Sequence, residues 1–200
     1  MRYYEKRAKK AGFDCIVGID EVGRGPLAGP VVSCAVRLKK FNFKNRIDDS
    51  KKLPALKRTK AFLELSQACD FGVGIVNEKV IDHINIREAT KLSMRRAIEN
   101  LGIKPDYLLI DGNMDLGVDI PSKKIVGGDG KSISIAAASI IAKVIRDRIM
   151  TMYDKVYPNY GFKIHKGYAT LKHVKALKKF GPCPIHRLSF QPVSDNDERL

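Results

Sequence analysis

Two hydrophobic periods alternate along the chain, one short and strand-like and one of helical spacing. Cys15-Ile-Val-Gly-Ile-Asp20 is a brief apolar run ended by acids and glycines, which predicts a buried strand. Gly23-Arg-Gly-Pro-Leu-Ala-Gly-Pro30 has the composition of a turn, and Val31 to Leu38 reads as the returning strand of a hairpin. Phe71 to Asn77, Tyr107 to Asp111 and, more weakly, Lys123 to Gly127 complete five predicted strands. Pro54 can open a helix to about Ala68, because its missing N–H costs nothing in a first turn. Asp82 is the expected cap of a helix to about Asn100, with Met94, Ala97, Ile98 and Leu101 on its apolar face and Gly102 as its stop. A long helix is predicted from about Ser132 to Tyr157, with Ala137, Ile140, Ile141, Val144, Ile149, Met152 and Val156 along one side. Its Ala136-Ala-Ala-Ser139 segment is slim enough to lie close to a sheet. A last helix runs from about Thr170 to Phe180, before Gly181-Pro182. The expectation is an α/β domain with a mixed five-stranded sheet flanked by helices and a C-terminal helical extension.

Two hundred residues suit one such domain, with 44% hydrophobic content. We expect a basic segment over 1–13 (a frayed helix or an arm), a domain over 14–193 whose C-terminal helices start near 166, and a polar tail over 194–200. The net charge is +15, from 37 Lys+Arg and 22 Asp+Glu. In a chain of globular composition that surplus points to a polyanionic partner, nucleic acid before acidic membrane. No apolar run approaches the roughly 20 residues of a membrane span. Cys15, Cys34, Cys69 and Cys183 are scattered and form no Cys-x-x-Cys pair, which excludes a zinc ribbon and suits a reducing cytoplasm.

The chemistry gathers where predicted strands end in acids beside glycine: Asp20-Glu21 before Gly23, and Asp111 before Gly112. Ligands of open α/β sheets collect at the carboxyl ends of strands, so Asp20 and Asp111 converge if their strands are neighbours. Asp129, in Gly127-Gly-Asp-Gly-Lys131, is either a further member or a cap of the long helix. Clustered carboxylates repel one another, and all-oxygen ligand sets suit Mg²⁺ or Mn²⁺. Two such ions can clamp an in-line phosphoryl displacement. Adjacent residues on a regular strand face opposite sides, so Asp20 and Glu21 share a site only if the chain bends there. Gly23-Arg24-Gly25 is either an ordinary turn or one whose bare backbone approaches a sugar or phosphate. Lys143 and Arg146 fall on the expected polar side of the long helix and are assigned to phosphate contact. Lys172, Lys175 and Lys179 form one basic helix face, solvated or set against a duplex backbone. Cys183 and His186 are spaced like metal ligands but lack a second pair, which favours a structural role; His165 and His173 have no evident acid partner.

Gly18-Ile-Asp-Glu-Val-Gly-Arg-Gly-Pro-Leu-Ala-Gly-Pro30, Asp49-Ser-Lys-Lys-Leu53, Leu109-Ile-Asp-Gly112, Gly128-Asp-Gly-Lys-Ser132, Ser134 to Arg148, Gly167-Tyr168 and His186-Arg-Leu-Ser-Phe190 occur in this order. Together they resemble ribonuclease HII, the type 2 ribonuclease H family, from about Cys15 to Val193. The resemblance implies the ribonuclease H-like fold and a metal-dependent endonuclease acting on RNA–DNA hybrids and on ribonucleotides embedded in duplex DNA. It implies cleavage 5′ of the ribonucleotide, leaving a 3′-hydroxyl and a 5′-phosphate, and a role in removing misincorporated ribonucleotides. By the same likeness Asp20, Glu21, Asp111 and Asp129 fall on the metal-binding carboxylates. Gly23, Arg24 and Gly25 fall on the turn that recognises the ribonucleotide, and Tyr168 on the tyrosine that stacks against the following sugar. Pro54 stands where a polar helix cap is expected, a departure that bears on local stability. The expected partner is nucleic acid, with the protein a monomer in the cytoplasm. Two other readings stay open: a non-catalytic basic module for nucleic acid, and a ribonuclease H-like nuclease without junction specificity.

Overall fold

The computed structural model describes residues 1–196. Its elements are α1 (Tyr3–Lys10), β1 (Ile16–Val22), β2 (Val31–Leu38), α2 (Ala55–Ala68), β3 (Cys69–Val76), α3 (Glu78–Glu99), β4 (Tyr107–Asp111), β5 (Ser122–Ile125), α4 (Ile133–Val156), α5 (Phe162–His165) and α6 (Leu171–Phe180). Short 3₁₀ turns cover Gly128–Gly130 and Ser194–Asn196. The expected tail thus begins with a 3₁₀ turn, and its last residues, 197–200, lie outside the described ones.

The sheet order is β3-β2-β1-β4-β5. β2 runs antiparallel to β1 and β3, while β1, β4 and β5 are parallel. This is the expected mixed sheet, and helices bury both of its faces. Strand alternation assigns the sides. Val32, Cys34 and Val36 join α2 and the Ala136–Ala138 stretch of α4 in one core. Val17, Ile19 and Ala35 join Met94 and Ala97 of α3 in another. On the α4 side the helix nearly touches β1, for a Cβ at Gly18 would stand 2.3 Å from the Ser134 carbonyl carbon.

Three expectations are corrected. α3 starts at Glu78, where the Asn77 side chain caps the Val80 amide at 3.0 Å. Asp82 instead accepts from the backbone of Leu188 and Ser189, tying the C-terminal segment to the body. The inward face of α4 also changes along its length. Met152 and Val156 are exposed, whereas Arg146 and Met150 are fully buried. Past the edge of the sheet, α4 runs beneath the Gly23–Pro30 loop and the segment around Gly167, whose backbone carbonyls call for a donor. Finally, α1 is docked rather than frayed. Glu5 is buried, with its Oε1 accepting from both Ser132 and Ser134 at the start of α4.

Candidate active site

Paired registers between β1 and β4 end at Ile19↔Ile110, while β1 stays paired with β2 through Val22↔Val32. β1 and β4 therefore part just where each carries its acid, and the side chains fill the opening. Ligand oxygens of Asp20, Glu21 and Asp111 lie within 4.8 Å of one another. β1 remains in regular pairing through Glu21, so the two adjacent acids converge at its free edge without the bend expected from alternation. Asp20 Oδ1 accepts from the Glu21 amide at 2.7 Å, which fixes one carboxylate against the next backbone unit.

Burial, reinforced by the Glu21 and Asp111 charges, holds the Asp20 pKa well above the usual carboxylate range. Burial also raises Glu21, against the pull of Arg24, whose Nη1 lies 3.3 Å from Glu21 Oε1. Glu21 Oε2 is buried with no hydrogen-bond partner among the described residues. An orphaned acceptor beside two further carboxylates is the donor set of a hard divalent cation, so these residues fit Mg²⁺ or Mn²⁺.

Asp129 stands outside this trio but is tethered to it. The Gly128 amide donates to Asp111 Oδ1 at 2.6 Å and brings the Asp129 loop to the end of β4. Burial, Asp49 and Asp111 raise the Asp129 pKa. The Asp49–Leu53 motif, whose residues have no assigned role from the sequence, brings Lys51 Nζ 3.8 Å from Asp129 Oδ2. Partial burial works to lower the Lys51 pKa, but Asp129, Asp49, Asp20 and Asp111 together hold it above the ordinary value. Its position is that of a cation drawn to a cluster of negative charge.

The two glycines of the turn differ. Gly23 has φ +94°, and a Cβ there would meet Arg146 Nε at 2.2 Å, so the fold itself demands glycine. Gly25 is exposed, and a Cβ there would meet nothing within 4 Å. Arg146 itself corrects the sequence reading. It is fully buried, with Nε on the Pro30 carbonyl, Nη1 on Lys166 and Nη2 on Ala28, so it cannot reach phosphate. Lys143 is half-buried and engaged by Asp147 at 2.7 Å.

Tyr168 is 42% exposed, and its ring centroid lies 6.0 Å from the Arg146 guanidinium carbon. Beneath it lies a buried histidine cluster that single-residue reasoning had no means to find. The Cys183 amide donates to His186 Nδ1, so His186 carries its proton on Nε2, 3.0 Å from His173 Nε2. His173 then donates through Nδ1 to the Tyr168 carbonyl at 2.9 Å. Both ring nitrogens of His186 are thus engaged in hydrogen bonds within the fold. Among the described residues, the acids above are the one group with metal-ligand geometry.

A sheet whose parallel strands end in a carboxylate cluster fitted to divalent metal, under a basic exterior, defines a metal-dependent phosphodiester hydrolase. The particular family follows from comparison with known proteins. The ribonuclease HII profile matches residues 17–193. A ribonuclease HII of Enterococcus faecalis is 53% identical over 196 residues, 98% of this chain and 76% of that one. Among solved structures, ribonuclease H2 of Pyrococcus horikoshii superposes with TM-score 0.77 at 28% identity, covering 92% of this chain and 97% of that one. Ribonuclease HII of Archaeoglobus fulgidus, solved in complex with PCNA, gives 0.78 at 25% identity and covers 89% and 96%. This chain belongs to the ribonuclease HII family and is an endoribonuclease of the ribonuclease H type.

Proposed function

We propose that the protein cuts 5′ of single ribonucleotides embedded in duplex DNA, as well as within longer RNA–DNA hybrids, through two divalent ions, Mg²⁺ or Mn²⁺. The observation that carries this reading is the meeting of Asp20, Glu21 and Asp111 at the point where β1 and β4 separate. Asp20, Glu21 and Asp111, joined by Asp129, would hold the metal. When bound, divalent metal supplies the charge and Lewis acidity that activate water and stabilise the leaving 3′-oxygen.

The chain's own residues position the substrate. The exposed Arg24-Gly25 backbone faces the ribose, and Tyr168 offers its ring to the following sugar. Lys51 sits over the acids, where a scissile phosphate also has to come. Lys172, Lys175 and Lys179 are exposed along α6 and add positive field for the backbone. We read the catalytic domain as 14–193, working as a monomer in the cytoplasm to remove misincorporated ribonucleotides. No helix of the described residues is long and apolar enough to cross a membrane.

A panel of three labelled duplexes tests this: all DNA, DNA with one ribonucleotide, and a long hybrid. Cleavage of the last two alone is expected. Cleavage of the long hybrid with the single ribonucleotide spared would replace the reading with a nuclease lacking junction specificity. Salt-dependent binding without turnover would leave only a nucleic-acid-binding module.

A further inference from the structure

Arg187 is fully buried, and among the described residues its hydrogen bonds go to backbone carbonyls. Its Nη2 donates to the Gly23 carbonyl at 2.6 Å and its Nη1 to the Arg24 carbonyl at 2.8 Å. Nε and Nη2 both reach the Gly29 carbonyl, at 3.0 and 2.7 Å. The Phe190 ring covers the guanidinium at 5.0 Å. One planar fork therefore spans the loop from its first residue to near its last, in the fixed geometry that distinguishes arginine from lysine. Arg146 grips the same loop further along, through the Ala28 and Pro30 carbonyls.

The direction of these bonds has a chemical consequence. In a trans peptide unit the carbonyl and the following N–H point opposite ways. With the Gly23 and Arg24 carbonyls turned inward onto Arg187, the N–H groups of Arg24 and Gly25 are turned outward. Both residues are exposed, and among the described residues neither amide has an acceptor. Two adjacent free donors on a backbone anchored from behind suit a hydroxyl or phosphate oxygen. Burying two cations with no direct ion pair among the described residues is costly, and an apolar filler of similar volume would be cheaper for stability alone. An arrangement that spends stability on aiming a loop is expected at a functional site.

We propose that Arg187 is a positioning residue that sets specificity for ribose: by holding the Gly23 and Arg24 carbonyls it aims the Arg24 and Gly25 N–H groups at the 2′-hydroxyl. This rests on the reading of Gly23-Arg24-Gly25 as the ribonucleotide-recognising turn. A DNA strand presents no hydroxyl to those donors, so the contribution of Arg187 is felt as discrimination and not as general affinity for a duplex.

The test compares wild type with Arg187→Lys, which keeps the charge and loses the fork. Binding of a duplex with one ribonucleotide and of the matching all-DNA duplex is measured in EDTA, so that nothing is cut. Wild type should favour the ribonucleotide duplex, and the variant should lose about tenfold of that preference, the worth of about one hydrogen bond. Its affinity for all-DNA duplex should stay within about twofold, since phosphate contacts supply that part. An unchanged preference overturns the proposal, as does an equal loss on both duplexes. If Arg187→Lys shows no cooperative thermal unfolding, amide hydrogen exchange on wild type decides. The Arg24 and Gly25 amides should exchange freely in the free protein and become protected by the ribonucleotide duplex alone. Protection already present in the free protein, or equal protection by both duplexes, refutes the outward aim. Failure of wild type to cleave the ribonucleotide duplex in Mg²⁺ would instead sink the functional reading, so the two failures are told apart.

Discussion

Glu5 Oε1 accepts a hydrogen bond from the Ser134 amide at 3.1 Å, joining residues 129 apart in sequence. The same oxygen takes the Ser132 and Ser134 hydroxyls, and the Ile133 amide donates to the Met1 carbonyl at 2.8 Å. The basic N-terminal helix therefore caps α4 from outside, directly after the loop that carries Asp129. Glu5→Ala should cost about 0.5–2 kcal/mol, the range of a lost helix cap, and lower the melting temperature by several degrees. Because the loop is loosened, kcat should fall several-fold with KM little changed. Thermal unfolding and steady-state kinetics on one substrate check both parts.

Metal and pH should act together on stability. The Asp20 pKa is raised in the fold, so its ionised form opposes folding above that value and ceases to do so as pH falls toward the unfolded value of 3.8. Divalent metal should raise the melting temperature clearly at pH 8 and progressively less in acid. Asp20→Asn should raise the melting temperature of the metal-free protein and abolish turnover. Differential scanning fluorimetry with and without Mg²⁺, from pH 5 to 8, reads the first; a cleavage assay reads the second.

The two turn glycines should separate stability from recognition. Gly23→Ala forces a left-handed φ and a clash with Arg146 and the Pro30 carbonyl, so a loss of about 1–3 kcal/mol or more is expected. Gly25→Ala meets nothing in the fold and should leave the melting temperature unchanged. On the proposed role of the turn its added methyl sits beside the amide that meets the ribose, so KM for a single-ribonucleotide duplex should rise. Chemical denaturation and kinetics of the two variants measured side by side distinguish the cases.

These positions also show what a single sequence conceals. The meeting of Asp20, Glu21 and Asp111 was legible because acids beside glycine mark the carboxyl ends of two strands that turn out to be neighbours in the sheet. The five strands were legible from their periods. Arg146 was misread because a helical wheel assumes one inward face throughout, whereas α4 leaves the sheet and passes under a loop rich in carbonyls. Arg187, Glu5 and the histidine cluster are linked to their partners across turns and over long separations in the chain. No local pattern encodes such contacts.

The histidine cluster should make the protein acid-sensitive. Burial lowers both His173 and His186 to about 4 from the ordinary 6.5. The unfolded chain binds these protons more readily than the fold, so their contribution is complete above pH 6.5 and is lost as pH falls toward 4. Protonation also sets two N–H groups against each other across the His173–His186 contact. His186→Gln, which keeps a donor and an acceptor but does not titrate there, should flatten the fall in melting temperature between pH 6.5 and 4. An identical slope in wild type and variant would count against this role.

Mapping the products of one substrate tests the central claim most directly: a DNA duplex with a single ribonucleotide, resolved to the nucleotide, with Mg²⁺ or Mn²⁺ and with EDTA. One cut immediately 5′ of the ribonucleotide is expected, leaving a 3′-hydroxyl on the upstream DNA and a 5′-phosphate on the ribonucleotide, and none in EDTA. A cut on the 3′ side, a cyclic phosphate end, or cleavage that persists in EDTA would contradict it.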